Sequence, residues 1–518
     1  MSAAAIEASA GPARLVRRLL GELPPGVRAP MFDAARLRPG QLHLGCGAFH
    51  RAHQAVYTHK AIEAECIATG RSDPPPWGIV AASLRSCGVV DALRRQDGVY
   101  SVVERGDDGP RVEVVASVVG TVYAPDEAAR LARWFADPAI RVVTLTVTPA
   151  GYCIDTVTGR LDPQHPEVVA DVGRAAPTSA IGLLVQGLAR RRAIGGPPPV
   201  VLSCDNLAHN GSMLRRVCID FAGLQDDGLS EWMERNVRFP NTMVDRIVPA
   251  ASLQDRRAAA EVLGLEDDAV VCAEPYRQWV IEAFDGPRPR WDAVGAQFVD
   301  DVAPWEASKL RLLNGGHLAV AFLGLLRGLD TVAQAMAQPD LAAFALRFML
   351  DEQRPTLPPS DHDITAYAHQ LLHRWKNPAI VHRFERIARD SGKKLAPRLL
   401  DSLRDNGAAQ RPAPCTVLAV AAWMCCVGKD AAGELAPSRR HRRPLLGDEE
   451  CAPHRKRLGL AWHVGSESLV DRFLEIRPVF GDDLPGCPGL RDRLVAAVRD
   501  LREQGVQGAV ERCLGAMS

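Results

Sequence analysis

The chain has 518 residues, which suggests about two to four domains rather than one small one. Hydrophobic residues make up 47% and charged residues 24% of it, a globular composition with enough apolar material for large cores. Basic and acidic residues number 62 each, so the net charge is zero. This balance gives no indication of nucleic acid or an anionic membrane as the main partner.

Thirteen cysteines are scattered along the chain without a CxxC pair. Their spacing predicts neither a disulfide framework nor a metal site, and reduced cysteines favour a cytoplasmic location. The N-terminal residues lack the long apolar core of a signal peptide. The most apolar run, residues 416–427, is too short to span a bilayer and predicts a buried helix.

The first part of the chain alternates between strand and helix patterns. Residues 1–38 form an N-terminal lead with a helix predicted at residues 13–20. The predicted strands lie at residues 42–44, 79–84, 141–148 and 200–204, with helical patterns between them, for example at residues 125–135 and 180–192. Strands separated by helices predict an α/β fold with a parallel sheet.

The second part reads as mainly helical, and we place a domain boundary near residue 300. The predicted helices lie at residues 306–327, 330–351, 361–374, 378–390, 413–427 and 489–515. The charged segment at residues 434–457 predicts a surface loop. Its basic run, residues 439–443, fits either a solvated loop or a nucleic-acid patch. The predicted domains are therefore residues 39–300 and residues 301–518.

The stretch "LGCGAFHRAH" follows the first predicted strand. Gly45 and Gly47 match the start of the dinucleotide fingerprint, in which glycines let the backbone approach a pyrophosphate. His50 stands where the third glycine is expected. Gly45, Gly47, Ala48 and Phe49 are the candidate cofactor residues here, and a simple strand-to-helix turn is the alternative.

The second predicted strand runs into Arg85 and Ser86, without the acid that usually binds the adenosine ribose. Arg85 could hold the 2′-phosphate of NADP, or it could cover the adenine or pair elsewhere. The choice between NAD and NADP stays open.

Two further motifs carry polar groups. In "LSCDNLAHNG", Asp205 and Asn206 follow a strand, where ligands bind in open α/β sheets. Asn206 could donate to a developing oxyanion, or both residues could cap a helix. In "FPNTMVDRIVP", Asp245 could contact substrate hydroxyls or form a buried ion pair with Arg246.

The stretch "KLRLLNGGH" places a Lys, an Asn and a His in an apolar helix. At 100° per residue, Asn314 and His317 lie about 140° and 80° from Lys309, within one half of the helix. A buried Lys has a lowered pKa and can accept a proton near neutral pH. The alternative is a surface pair of Glu306 and Lys309 beside a core His.

Together these motifs resemble the mannitol dehydrogenase family, which includes mannitol 2-dehydrogenase, arabinitol dehydrogenase and the fructuronate and tagaturonate reductases. The resemblance runs from about residue 40 to beyond residue 400, and it rests on "GAFHRAHQAVY", "SCDNLAHNG", "FPNTMVDRI", "EPYRQWVIE" and the pattern Lys-x4-Asn-x2-His. It implies a Rossmann-like N-terminal domain with an extended sheet and a mainly α-helical C-terminal domain, with the active site between them. It also implies an NAD(P)-dependent, metal-independent enzyme.

The resemblance also implies roles for the motif residues. Lys309 is then the general base that takes the alcohol proton as hydride leaves. Asn206 and Asn314 hold the reacting oxygen, His317 orients the substrate hydroxyl, and Glu306 relays the proton of the Lys.

Residues matching Asp245, Arg386 and Lys394 are implied to contact the polyol. Some residues depart from the family pattern, including Pro149 where an acid is usual and the permuted motif at residues 390–394. The resemblance further favours NAD as cofactor, a small polyol or aldonate as substrate, and a monomer.

We expect interconversion of D-mannitol and D-fructose, and the alternative is oxidation of D-mannonate to D-fructuronate. A substrate carboxylate would need a cation, for which Lys393, Lys394 and Arg398 are candidates. A remote alternative is a cofactor-binding sensor without catalysis, which the complete catalytic set argues against.

Overall fold

The computed structural model describes residues 13–155, 158–435 and 450–515. It divides the chain into two compact units, Met1–Ala303 and Pro304–Ser518. Most of the predicted loop at residues 434–457, with its basic run, lies outside the described residues, while residues 455–457 begin a helix. The helix predicted at residues 13–20 is instead a short 3-10 helix, Arg17–Glu22.

The described part of unit 1 contains eleven strands. They are β1 Pro39–Leu44, β2 Gly78–Ser83, β3 Tyr100–Gly106, β4 Gly109–Val115, β5 Val118–Tyr123, β6 Val142–Leu145, β7 Val200–Ser203, β8 Thr242–Asp245, β9 Val271–Ala273, β10 Gln278–Glu282 and β11 Gln297–Val299. Five of them form a parallel sheet in the order β5-β2-β1-β6-β7.

The parallel sheet confirms the predicted α/β class. Its central strand β1 is paired on both sides, with Leu42 opposite Val80 in β2 and Val143 in β6. All four predicted strands are found in this sheet, as β1, β2, β6 and β7. The strand predicted at residues 141–148 ends at Leu145, because the chain leaves the sheet there.

Two three-stranded sheets extend unit 1, in the orders β4-β3-β9 and β11-β10-β8. The first is built on an antiparallel hairpin, in which Gly106 pairs with Gly109. We did not predict the hairpin from the sequence.

Nine α-helices belong to unit 1. They are α1 Ala48–Ala52, α2 Gln54–Thr69, α3 Gly88–Arg95, α4 Ala128–Ala136, α5 Pro166–Asp171, α6 Ala180–Ala193, α7 Asn210–Gly223, α8 Asp227–Asn236 and α9 Leu253–Leu263, within the described residues. Their apolar faces pack with the sheets into clusters of buried residues.

The described secondary-structure elements of unit 2 are all helices. After α10 Ala303–Ser308, which begins at the boundary, its α-helices are α11 Gly316–Leu326, α12 Val332–Met336, α13 Pro339–Arg347, α14 Ile364–Lys376, α15 Phe384–Ala388, α16 Ser391–Leu395, α17 Asp401–Ala408, α18 Pro414–Ala431, α19 Arg455–Val464, α20 Ser466–Leu474, α21 Arg477–Phe480, α22 Leu490–Glu503 and α23 Gly505–Gly515. One hydrophobic cluster connects most of them.

Helix α18 runs through this cluster and contains the apolar run that the sequence predicts as a buried helix. It is longer than that run, at 18 residues, and it alone among the described helices is long and apolar enough to cross a membrane. Since 83% of it is buried in the protein, it serves as a core helix.

Three segments of unit 2 are π-helical, namely Lys309–Gly315, Phe348–Gln353 and Ala396–Leu400. The first packs against the other two. The helix predicted at residues 306–327 therefore exists, but part of it is not a regular α-helix. In a π-helix each hydrogen bond spans five residues, so the angles that we predicted for Lys309, Asn314 and His317 do not apply.

Candidate active site

A cleft of about 600 Å³ opens in unit 1 at the carboxyl ends of β1, β2 and β6. Ligands of open parallel sheets bind at this edge. The cleft is lined by Gly45, Cys46, Gly47, Ser83, Leu84, Arg85, Ser86, Val89, Thr146, Val147, Thr148, Gly151, Glu167, Thr178, Ser179 and Ala180.

The two glycines of the loop after β1 differ in what surrounds them. Gly45 has φ +99°, and a Cβ there would collide with the carbonyl oxygen of Thr146. A Cβ at Gly47 would have no heavy atom nearer than the Gly45 carbonyl oxygen, at 3.9 Å. Its backbone is thus accessible from the cleft, while Gly45 is required by the fold itself.

Four of the six candidate cofactor residues, Gly45, Gly47, Arg85 and Ser86, line the cleft. Ala48 and Phe49 do not line it. The ring of Phe49 instead stacks on that of His53, with 5.0 Å between the ring centres, and packs against a core cluster.

Arg85 forms an ion pair with Glu167, with 3.0 Å between Nη2 and Oε1. The sequence left open whether Arg85 holds a 2′-phosphate, covers the adenine or pairs with another residue. The structure shows it paired with another residue. Glu167 lies far from Arg85 in the sequence, and both line the cleft.

At the end of β7, Asp205 is buried and Asn206 is exposed. Asp205 accepts hydrogen bonds from the Tyr152 hydroxyl at 2.6 Å and the Val147 amide at 2.8 Å. Burial raises the pKa of Asp205 to about 7, although these hydrogen bonds act in the opposite direction. The N-cap position of helix α7 is His209, whose side chain makes no capping hydrogen bond, so the alternative of a cap by Asp205 or Asn206 is wrong.

Asp245 is buried at the end of β8. The guanidinium of its neighbour Arg246 forms an ion pair with Glu104, at 2.6 Å, and donates to the carbonyl oxygen of Glu274 at 3.0 Å. Arg246 thus has a carboxylate partner other than Asp245.

In unit 2, Lys309 begins the first π-helical segment and Asn314 lies near its end. Lys309 is buried, with 7% of its surface exposed, while Asn314 and Glu306 are half-buried. The Lys309 side chain therefore lies inside the protein and not at its surface.

His317 is buried one turn further along the helix. Its ring stacks on Trp375, at 4.6 Å, and meets the edge of His382 at 4.5 Å. Burial holds the pKa of His317 well below its usual range, and the nearby His382, Arg374 and Arg398 lower it further. Its imidazole is therefore neutral at physiological pH.

The three rings of His317, Trp375 and His382 share an unusual feature. Among the residues that the structure describes, His317 Nε2, Trp375 Nε1 and His382 Nδ1 are buried without a hydrogen-bond partner. Buried polar groups in proteins are nearly always paired. Three such atoms on adjoining rings form a site that a hydroxyl-rich ligand would complete.

Gly315 and Gly316 are explained by their neighbours within unit 2. A Cβ at Gly315 would lie 2.7 Å from the carbonyl oxygen of Arg398, and one at Gly316 would lie 2.7 Å from Trp375 Cη2. Protein atoms therefore fill the space beside both glycines.

The cations proposed for substrate binding differ in their surroundings. Arg386 and Lys393 are exposed. The Lys394 ammonium donates to the carbonyl oxygens of Ile387, at 3.4 Å, and Arg389. Lys394 therefore supports the turn between α15 and α16.

Arg398 has neither an ion-pair nor a hydrogen-bond partner for its guanidinium among the described residues. Burial lowers its pKa to about 10. It is close enough to His317 for its charge to affect the pKa of that ring.

Both units match domains of a known protein family. The Rossmann domain of mannitol dehydrogenase matches residues 39–293, and the mannitol dehydrogenase C-terminal domain matches residues 301–502. The chain belongs to the mannitol dehydrogenase family. This confirms the predicted family and fold class, and it makes the chain an oxidoreductase.

Relatives of this oxidoreductase span nearly its whole length. A D-mannonate oxidoreductase from Escherichia coli (strain K12) is 38% identical over 93% of this chain and 97% of its own. A mannitol 2-dehydrogenase from Cereibacter sphaeroides is 35% identical over 95% of this chain and 99% of its own. The structure of Pseudomonas fluorescens mannitol 2-dehydrogenase, a ternary complex with NAD and D-mannitol, superposes with a TM-score of 0.79 at 33% identity, covering 97% of this chain and 99% of that one.

The Rossmann domain of this family member implies a nicotinamide dinucleotide, and the cleft in unit 1 fits one. Gly47 offers open backbone at the end of β1, Arg85 lies beyond the end of β2, and Thr146 to Thr148 follow β6. These residues could hold the pyrophosphate, the adenosine ribose and the nicotinamide end respectively.

One cluster in this family member has the residue types of a metal site. His59, Glu63 and Glu113 have ligand atoms within 4.8 Å of one another. His59 and Glu63 lie one turn apart on α2, and Glu113 lies on β4, so sequence spacing alone could not connect all three. The Lys60 ammonium forms ion pairs with both carboxylates. The cluster is therefore a buried network of ion pairs.

Several residues of the cleft were missed in the sequence. Thr146 to Thr148 could have been found, because they form the carboxyl end of the strand predicted at residues 141–148. Glu167 lies in α5 and residues 178–180 lie at the start of α6, and no local motif connects either to the cleft.

Proposed function

We propose that this oxidoreductase interconverts a secondary alcohol of an open-chain sugar alcohol and the corresponding ketose, with NAD or NADP as cofactor. One observation carries the proposal: His317, on the helix that follows the buried Lys309, has an unpaired ring nitrogen and packs against the rings of Trp375 and His382, whose nitrogens are also unpaired. Such a polar, unsatisfied cluster suits a ligand rich in hydroxyl groups.

Lys309 is the proposed general base. A Lys in a buried position loses its proton more readily than one in water, and a base is most effective when its pKa is near the operating pH. The nicotinamide ring of a bound cofactor supplies the hydride acceptor. As the alcohol is oxidised, Lys309 Nζ takes the hydroxyl proton, and in ketose reduction it returns that proton.

The remaining residues bind and orient. Asn206 and Asn314 donate amide N–H groups to the reacting oxygen, which stabilises its developing negative charge. His317 is neutral, so its unpaired Nε2 can form one directed hydrogen bond with a substrate hydroxyl. Glu306 relays the proton of Lys309, and Asp245, Arg386 and Lys394 frame the polyol.

D-Mannitol and D-fructose are the first proposed pair, supported by the similarity to the Pseudomonas fluorescens enzyme. D-Mannonate is the second candidate, and Arg398 specifically favours it. A partly buried guanidinium without an anion is unfavourable, and a carboxylate is its best partner because it accepts two parallel hydrogen bonds.

Initial rates with D-mannitol, D-arabinitol, D-sorbitol and D-mannonate, each with NAD and NADP, test the reaction and the substrate. Turnover of D-mannitol with the highest kcat/KM supports the first pair. Turnover of D-mannonate alone excludes it, and no turnover of any substrate contradicts the whole proposal.

The role of Arg398 is tested by Arg398→Met beside the control Lys393→Met, which removes an exposed cation nearby. If Arg398 binds a substrate carboxylate, its loss raises KM for D-mannonate by about 10- to 100-fold, since hydrogen bonds to charged groups contribute about 1.5–3 kcal/mol. The control leaves that KM within about twofold. An equal effect of Arg398→Met on D-mannitol would assign Arg398 a structural role instead.

We also propose a cytoplasmic, monomeric enzyme. All thirteen cysteines are free, which suits a reducing compartment. Gel filtration at micromolar concentration tests the monomer, and an elution volume of a 112 kDa dimer, twice the 56.1 kDa chain, would contradict it. The alternative of a non-catalytic sensor predicts that Lys309→Ala leaves function unchanged.

A further inference from the structure

We propose that Glu167 determines the cofactor preference of this enzyme: its carboxylate stands in for the missing acid after β2 and makes the cleft select NAD over NADP. The inference rests on the proposed use of a nicotinamide dinucleotide. It goes further by assigning the discrimination to a residue outside the dinucleotide motif.

The end of β2 lacks its own acid. The strand ends at Ser83, and no carboxylate occurs between there and Asp91 in α3. In Rossmann domains an acid at this place accepts a hydrogen bond from the 2′-hydroxyl of the adenosine ribose. Arg85 alone would reverse that preference, because a guanidinium attracts a 2′-phosphate.

Glu167 brings a carboxylate to the same place from helix α5. Its Oε1 lies 3.0 Å from Arg85 Nη2, and both residues line the cleft. Its Oε2 lies 3.9 Å from the Cys153 Sγ. Burial raises the pKa of Cys153 to about 12, with a further contribution from the Glu167 charge, so this thiol is a neutral donor.

The position of Glu167 is fixed by its own helix. His165 caps α5 by accepting a hydrogen bond from the Glu167 amide at 3.3 Å. The next residue, Val168, is completely buried in the core of unit 1. The backbone that carries Glu167 is therefore fixed at the wall of the cleft, and its carboxylate, 37% exposed, is accessible there.

The consequence for the two cofactors follows from charge. The ribose 2′-hydroxyl of NAD can donate a hydrogen bond to a carboxylate. The 2′-phosphate of NADP cannot donate in its ionised form and is repelled by Glu167, while Arg85 is already paired. Breaking that pair to bind the phosphate leaves the Glu167 charge beside a second anion.

The test is binding of NADH and NADPH without sugar, followed by nicotinamide fluorescence, because the two differ only in the 2′-phosphate. We expect the wild-type enzyme to bind NADH at least about tenfold more tightly, which equals about 1.4 kcal/mol. In Glu167→Gln the ratio of the Kd for NADPH to the Kd for NADH should fall by about tenfold. The fall should come mainly from tighter NADPH binding, as expected when a like charge is removed. The exposed pair of Glu234 and Arg215 provides the control Glu234→Gln, which should keep the wild-type ratio.

A second variant covers the case in which Glu167→Gln does not fold. Arg85→Gln should increase the preference for NADH, since Glu167 then repels the phosphate without a counter-charge. Tighter binding of NADPH to the wild-type enzyme, or unchanged ratios in the variants, would overturn the inference. Absence of binding of either dinucleotide would overturn the proposed function as well, whereas NADH binding without turnover of any polyol would contradict only that function.

Discussion

His317 shows how burial selects the chemistry of a single side chain. A charged imidazolium at this position would have to be desolvated beside Arg374 and Arg398, and the pKa is accordingly far below its usual range. The residue can therefore orient a hydroxyl group but is unsuited to supply a proton near neutral pH. This leaves proton transfer to Lys309 in the proposed mechanism.

Gly316 offers a test of the packing behind that ring. Because a Cβ there would lie 2.7 Å from Trp375, we expect Gly316→Ala to lower the free energy of unfolding by about 1–3 kcal/mol, the usual cost of overpacking. The same change should weaken activity, since Trp375 stacks on His317. Urea unfolding and kcat/KM measure the two effects.

The matched control for that change is Gly407→Ala. Gly407 also lies in a helix, α17, and nothing would lie within 4 Å of its Cβ. We expect a gain of about 0.5–1 kcal/mol there, because Ala is the better helix former. Equal stability of the two variants would show that Trp375 moves aside at little cost.

At the scale of elements, the sequence predicted those strands and helices that a local residue pattern determines. The β-branched runs and their spacing identified four strands of the parallel sheet, and the apolar run at residues 416–427 identified the core of α18. The hairpin of β3 and β4 was missed, since its strands mix charged and apolar residues, although its pairing is local and a short turn joins Gly106 to Gly109.

The π-helical segment at Lys309 could not have been predicted from its own residues. It packs on the segments Phe348–Gln353 and Ala396–Leu400, which lie far away in the sequence. π-Helical turns are frequently found at functional sites because they redirect side chains. The local sequence thus identified the residues of the candidate site but not the backbone that positions them.

The ion-pair network of α2 and β4 makes a prediction about pH. Burial opposes ionisation of Glu63, but His59, Lys60 and the Met31 amide reverse this and lower its pKa to about 2. Its ionised form therefore stabilises the fold above its unfolded pKa of 4.5, and this contribution is lost as the pH falls towards 2.

Glu63→Gln should accordingly lower the free energy of unfolding by about 2–3 kcal/mol at pH 7. The difference from the wild-type protein should narrow as the pH falls from 5 to 3 in urea titrations. The exposed residue Glu261 provides the control. The free energy of unfolding of Glu261→Gln should stay within about 0.5 kcal/mol of the wild-type value at all pH values. A deficit of Glu63→Gln that does not change with pH would contradict the ion-pair account.

At the scale of the whole molecule, the family was predictable from five motifs in order, and the matches to both domains confirm it. The candidate catalytic residues follow from the same motifs, with Asn206 in unit 1 and Lys309 in unit 2. The roles proposed for Arg398 and Glu167 follow only from the fold. They depend on the residues around each side chain, which no local motif predicts.

Lys309→Ala tests the central claim most directly. If Lys309 is the general base, kcat should fall by about 10²- to 10⁴-fold, while the Kd for NADH stays within about threefold. Added methylamine should restore part of the activity in proportion to its unprotonated fraction, because it replaces the missing amine. A variant with kcat within about tenfold of the wild-type value and no response to methylamine would contradict the account.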